Sequence, residues 1–143
     1  RIDVLATDHA PHTWSEKQNP YTQAPSGGPL VQHALLALLT AHKRGKITLE
    51  RLVQKACHNP AILFDIKDRG YIRTGYFADL VLVDLNKSTT VTPESLLYKC
   101  GWSPFEGTNF EASIHSTFVN GILAYSENKI KDPLAGQRLE FNR

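Results

Sequence analysis

The apolar positions of the chain fall into three regimes. Residues 2–6, Ile-Asp-Val-Leu-Ala, form a short apolar run broken only by Asp3, which predicts a short buried strand. From Asp8 to Pro29 the apolar period disappears. Polar residues, proline and glycine dominate, and the closing "APSGG" calls for a tight turn. In "PLVQHALLALLTAHKRGK", Leu30, Ala34, Leu35, Leu38 and Leu39 recur at helical spacing. Pro29 suits a first helical position, and Lys43 and Arg44 followed by Gly45 suit an end. Thr48 predicts a second N-cap, with Arg51 standing where a capping-box acid would be. Leu49, Leu52, Val53 and Ala56 share a face of that helix, and Pro60 breaks it or starts another over 61–64.

From Gly70 onward the period shortens. "YIRTGYFADLVLVDL" and "STFVNGILAYS" read as strands between turns, and Asn120-Gly121 between apolar runs is a strong hairpin signal. Residues 128–143 are polar and read as peripheral. No internal repeat or low-complexity segment is visible.

Composition narrows the function classes. At 143 residues the chain has the size of one ordinary domain. A net charge of +2, with both signs interspersed, argues against a nucleic-acid or membrane surface. Cys57 and Cys100 fit no zinc spacing, so reduced thiols and a cytoplasmic location are expected. No signal-peptide pattern is present, and the longest apolar stretch, residues 34–39, is too short to span a bilayer.

The chemistry concentrates in "TDHAPHT", residues 7–13. A carboxylate at the C-terminal end of a barrel strand is where barrel enzymes place catalytic groups. Zinc accepts aspartate oxygen and histidine nitrogen, and it turns bound water into a nucleophile near neutral pH. A base must then carry the proton to a leaving amine. Asp8 is suited to both tasks. His9 and His12, three residues apart in a loop, need not point the same way, so a structural role for them stays open. Elsewhere the plainer readings win. His33 and His42 are expected on a helix as surface or satisfied core positions, His58 as a helix-end cap, and His115 as structural. "GYFADLVLVD" lacks the GxGxxG of a nucleotide site and reads as a turn followed by a buried strand. Trp102, Pro104 and Phe105 read as packing. Glu16 and Lys17 read as a solvated loop, with loop closure as the alternative.

"ATDHAPHT" resembles the signature that dihydroorotases, of the amidohydrolase superfamily, carry at the end of the eighth barrel strand. The resemblance continues through "EKQ", "APSGG", "CHNPAILF", "RGYIRTGYFADLVLVDL" and "WSPFEGTNFEASIHSTFVNG", and so covers nearly the whole chain. Hydantoinases and allantoinases share the aspartate but usually not the Ala-Pro-His after it.

The resemblance implies an α/β fold: the C-terminal fragment of a metal-dependent (β/α)8 barrel plus part of a small β-sandwich domain. Residues 1–69 would hold the last barrel strand, the active-site loop and the C-terminal helices, and residues 70–143 the β part and tail. It implies Asp8 as catalytic acid/base and metal ligand. It also implies His12 as a reader of the substrate carboxylate, and Ser26 and Gly27 as backbone contacts to the pyrimidine ring. The cofactor would be zinc, usually two per site. The family's other ligands, a His-x-His pair, often a carboxylated lysine, and two further histidines, have no counterpart among the histidines here, which are His9, His12, His33, His42, His58 and His115. The expected function is reversible interconversion of N-carbamoyl-L-aspartate and (S)-dihydroorotate. The alternatives are a non-catalytic scaffold for a transcarbamoylase and a hydrolase of other cyclic ureides. The fragment alone is expected to be inactive, and to self-associate or to pair with the missing part of the barrel. Its partner is a small molecule, with no nucleic acid and no membrane.

Overall fold

A computed structural model describes residues 2–142. Its elements are α1 (Trp14–Lys17), α2 (Ala34–Lys43), α3 (Leu49–Val53), a π-helical turn (Gln54–His58), α4 (Asn59–Leu63) and β1 (Leu80–Asp84). They continue with β2 (Thr89–Thr90), a 3₁₀ turn (Pro93–Ser95), β3 (Asn109–Phe110), β4 (Ser113–Val119), β5 (Ile122–Ser126) and β6 (Lys129–Ile130).

The helix α2 starts later than the sequence predicts. Residues 31–33 form a turn, with Ala34 N–H donating to the Leu30 carbonyl at 3.2 Å. The end matches: Gly45 takes φ +69° just beyond the Arg44 cap. Thr48 caps α3 as expected, its hydroxyl accepting the Arg51 N–H. Pro60 starts a further helix, the second of the two expected outcomes, two residues earlier than 61–64. The preceding turn widens to π geometry, and Pro60 then sits in the first turn of α4, where its missing N–H costs nothing.

Four antiparallel strands form a sheet in the order β1-β4-β5-β6, and β2 pairs with β3. Asn120 and Gly121 both adopt positive φ, +53° and +81°, as a type I′ hairpin between β4 and β5 requires. The same device recurs at Glu127 and Asn128, φ +53° and +57°, before β6.

Two core clusters share Ile114. One joins Leu36 of α2 to Val91 and Phe110, and the other joins Leu39 to Leu52 of α3 and Ala112. Polar ties reinforce the joint: Thr40 Oγ1 accepts the Glu111 N–H at 3.0 Å, and Lys43 Nζ donates to the Leu85 carbonyl at 2.7 Å. Buried Arg69 connects the helices to the sheet. It pairs with Asp79, donates to Asn120 Oδ1 at 2.6 Å and lies 4.0 Å from the centre of the Phe77 ring. Beside it, Gly70 (φ +83°) is obligatory, because a Cβ there would stand 2.6 Å from Ala61 Cβ and 2.9 Å from the Cys57 carbonyl oxygen.

Three expectations are corrected. Residues 2–6 form no strand. A parallel barrel strand exists through hydrogen bonds to neighbours on both sides. Here the segment's ties are Leu5 N–H to the Lys55 carbonyl, and the Lys55 and Asn59 side chains donating to the carbonyls of Ile2 and Asp3. β1 is a strand but not a buried one. Among the described residues it pairs only with β4, and Val81, Leu82 and Val83 are exposed. The C-terminal stretch is not wholly peripheral, since Ala135 is buried and Phe141 bridges to Ile66. Arg143, at its end, lies outside the described residues.

Candidate functional site

The segment after residue 7 bends sharply. Asp8 takes φ +45°, a left-handed conformation that aspartate tolerates better than most residues. The turn leaves Asp8 exposed and sends the chain alongside the later loop. His9 and Gly28 form a parallel bridge, and Ala10 N–H donates to the Gly28 carbonyl at 3.0 Å. Gly27 (φ +85°) packs so tightly there that a Cβ would lie 2.7 Å from Ala10 Cβ. The structure therefore brings the segment carrying Asp8 and His12 against the segment carrying Ser26 and Gly27. Among the described residues, no protein acceptor meets the N–H groups of Ser26 and Gly27.

His9 is spoken for: its Nδ1 accepts the Val31 N–H at 3.3 Å, and its ring lies 5.6 Å from that of Tyr98. It pins the loop to the start of the α2 turn. His12 is half-buried, and its carbonyl accepts the Trp102 indole N–H at 2.8 Å. Trp102 also touches the space beside Gly28 and lies 5.6 Å from the Trp14 ring. The sequence reading missed this role of Trp102. The only signal was an aromatic residue in a Gly- and Pro-containing connection.

Thr13, next to His12, opens α1 with a complete capping box. Its hydroxyl accepts the Glu16 N–H at 3.3 Å, and Glu16 Oε2 accepts the Thr13 N–H at 2.7 Å. Hydrogen bonds from the Thr13 side chain, then its backbone, lower the Glu16 pKa. So "EK" is an organised turn rather than a solvated loop.

The remaining histidines stay outside this unit. His42 Nδ1 meets the Ile47 carbonyl at 3.0 Å, and His115 Nδ1 meets Ser116 Oγ at 2.7 Å. His58 makes no side-chain cap and instead stacks on Tyr71, ring centres 4.2 Å apart, with Arg73 also over the Tyr71 ring. His33 is core, but its Nδ1 has no hydrogen-bond partner among the described residues. Burial raises the Cys57 thiol pKa, which argues against a thiolate nucleophile.

Among the described residues, no group of three His, Cys, Asp or Glu side chains is placed to hold a metal ion. A zinc site takes three or four ligands, so the donor set present here does not complete one. Cavities of about 510 and 500 Å³ lie elsewhere, over residues 42–51 and between α2 and the sheet. No helix among the described residues is long and apolar enough to cross a membrane.

A model described as the amidohydrolase family matches residues 2–123. The chain is 47% identical, over 75% of its length, to a dihydroorotase from Halobacterium salinarum, and covers 25% of that protein. It is 39% identical, over 88% of its length, to a dihydroorotase from Clostridium acetobutylicum, and covers 30% of it. An L-hydantoinase (dihydropyrimidinase) from Arthrobacter aurescens superposes with a TM-score of 0.88 at 29% identity, over 96% of this chain and 32% of that one. The chain thus spans about a quarter to a third of the length of these proteins.

Proposed function

The chain belongs to the amidohydrolase family, and from that premise we propose that it is the C-terminal part of a dihydroorotase. The full enzyme would interconvert N-carbamoyl-L-aspartate and (S)-dihydroorotate, a step of pyrimidine synthesis. The observation that carries this reading is the seating of Ala10 on Gly27 and Gly28, which joins "DHAPH" to "APSGG" in one hydrogen-bonded unit.

In this reading Asp8 takes the proton of the attacking water. It then delivers it to the ring nitrogen as the C–N bond breaks, which makes the nitrogen a competent leaving group. Its exposure at the turn leaves both carboxylate oxygens available. His12 donates to the substrate carboxylate, and the free N–H groups of Ser26 and Gly27 face the ring. Zinc, when bound, supplies Lewis acidity and a low-pKa water. Asp8 would be one ligand, and the others would come from outside this chain. The 143 residues alone are then inactive and bind no zinc tightly. The exposed β1 edge and the 2–6 segment, which has no strand partner among the described residues, favour self-association or pairing with the rest of the barrel.

The likeness to the hydantoinase favours a second reading, a hydrolase of uncharged cyclic ureides. The two readings differ in the substrate carboxylate. His12→Ala in the full-length enzyme should weaken dihydroorotate binding by about 1.5–3 kcal/mol, the range of a hydrogen bond to a charged group. It should leave a ring lacking the carboxylate almost unaffected. Steady-state KM values on both substrates decide the matter, and an equal loss on both removes His12 as the carboxylate reader.

A further inference from the structure

We infer that Lys17 is a positioning residue for the substrate loop, an inference that rests on the dihydroorotase reading for its effect on catalysis. Lys17 ends α1, five residues after His12. Its Nζ donates to the Pro25 carbonyl at 2.5 Å and to the Gly27 carbonyl at 3.1 Å. Those carbonyls flank Ser26, so one ammonium grips both sides of the residue whose backbone faces the ring.

Lys17 is half-buried and has no carboxylate partner among the described residues. Ordering so long a side chain costs rotamer entropy, and a lysine facing only solvent would not be fixed. Here two carbonyl dipoles fix it by charge-assisted hydrogen bonds. The helix that carries it buries no residue. α1 is held instead by the Thr13–Glu16 cap at one end, Trp14 against Trp102, and Lys17 at the other end. His12 and the Ser26 loop are therefore the two ends of one short linkage, and Lys17 sets their separation. The clamp also turns both carbonyls toward Lys17, and because each peptide is planar and trans, the Ser26 N–H is directed to the opposite side, toward the ring.

The test is made in the full-length protein. Lys17→Met keeps the stem and removes the donors, while Lys17→Arg keeps a cation that reaches carbonyls. With Lys17→Met, KM for dihydroorotate should rise about ten-fold, the scale of a lost charge-assisted contact, while kcat stays within about three-fold. Lys17→Arg should recover most of the loss. Independently of activity, hydrogen exchange in residues 22–30 should accelerate in Lys17→Met and remain unchanged in α2. Unchanged exchange in 22–30 overturns the clamp. So does a loss in kcat with KM unmoved. If the full-length wild type does not hydrolyse dihydroorotate, the substrate reading fails, and the exchange result alone then upholds or rejects the clamp.

Discussion

Between residues 2 and 33 only Pro29 and His33 are buried, whereas α2 alone buries Leu36, Leu39 and Thr40. The first stretch carries the candidate chemistry and is held by hydrogen bonds to neighbouring loops: Ala10 to Gly28, Trp102 to His12, and Lys17 to Pro25 and Gly27. The second carries the core and is held by apolar packing of α2 and α3 on the β2–β4 region. Hydrogen bonds fix direction with little net stability, while burial gives stability with little direction. The chain therefore separates what aims the chemistry from what keeps it folded, and substitutions in the two stretches should fail in different assays.

The sharpest break is Asp8→Asn in the full-length enzyme. The exposed amide cannot shuttle a proton, so turnover should fall about 10²–10⁴-fold, with the thermal midpoint essentially unchanged. Enzyme assays and calorimetry on the same preparation check both halves. A large drop in thermal stability would show that Asp8 belongs to the frame.

Leu39→Ala is the opposite case. Leu39 is 2% exposed and packed with Leu52 and Ala112. The cavity should cost about 2–5 kcal/mol in urea unfolding, while kcat per folded molecule stays near the wild-type value. A selective loss of kcat would couple the frame to the chemistry.

The smallest effect lies at the border between the stretches. His33 sits among the rings of Tyr98, Phe105 and Phe110, and burial lowers its pKa. The unfolded chain then binds the proton more readily than the folded one. The stabilising preference for neutral His33 is complete above the unfolded value of about 6.5 and is lost as pH falls toward the folded pKa. The slope it contributes is at most about 1.4 kcal/mol per pH unit. His33→Leu should flatten the pH dependence of stability below about pH 6.5, as followed by urea midpoints. An unchanged slope would mean that the ring gains a proton without cost.

Sequence alone exposed what depends on neighbouring residues. Thr48 caps α3, Gly45 follows α2, and Asn120-Gly121 makes a hairpin, because caps and turns are set by local backbone geometry. Asp8 and His12 were legible as a motif, but the packing of Ala10, between them, on Gly27 and Gly28 was not. It depends on Gly27 fitting where a Cβ would collide with Ala10. Residues 2–6 and β1 were misread for one reason. Apolar sequence states a wish for burial, but burial needs a partner that the pattern cannot supply. The specific contacts of His33 and Trp102 were out of reach for another, since they extend to Tyr98 and His12 across long stretches of chain.

The indole bond from Trp102 to His12 joins positions 90 residues apart, and this gives the site a schedule. During synthesis at roughly 5–20 residues per second, the anchor leaves the ribosome about 5–18 s after the segment it holds. Closing so long a loop is entropically costly until the core, whose members Phe110 and Ala112 follow Trp102, has formed. The frame is therefore the template on which the chemical segment sets last. A nascent chain halted before Trp102 carries the whole "DHAPH" signature while still lacking the strut that orients it.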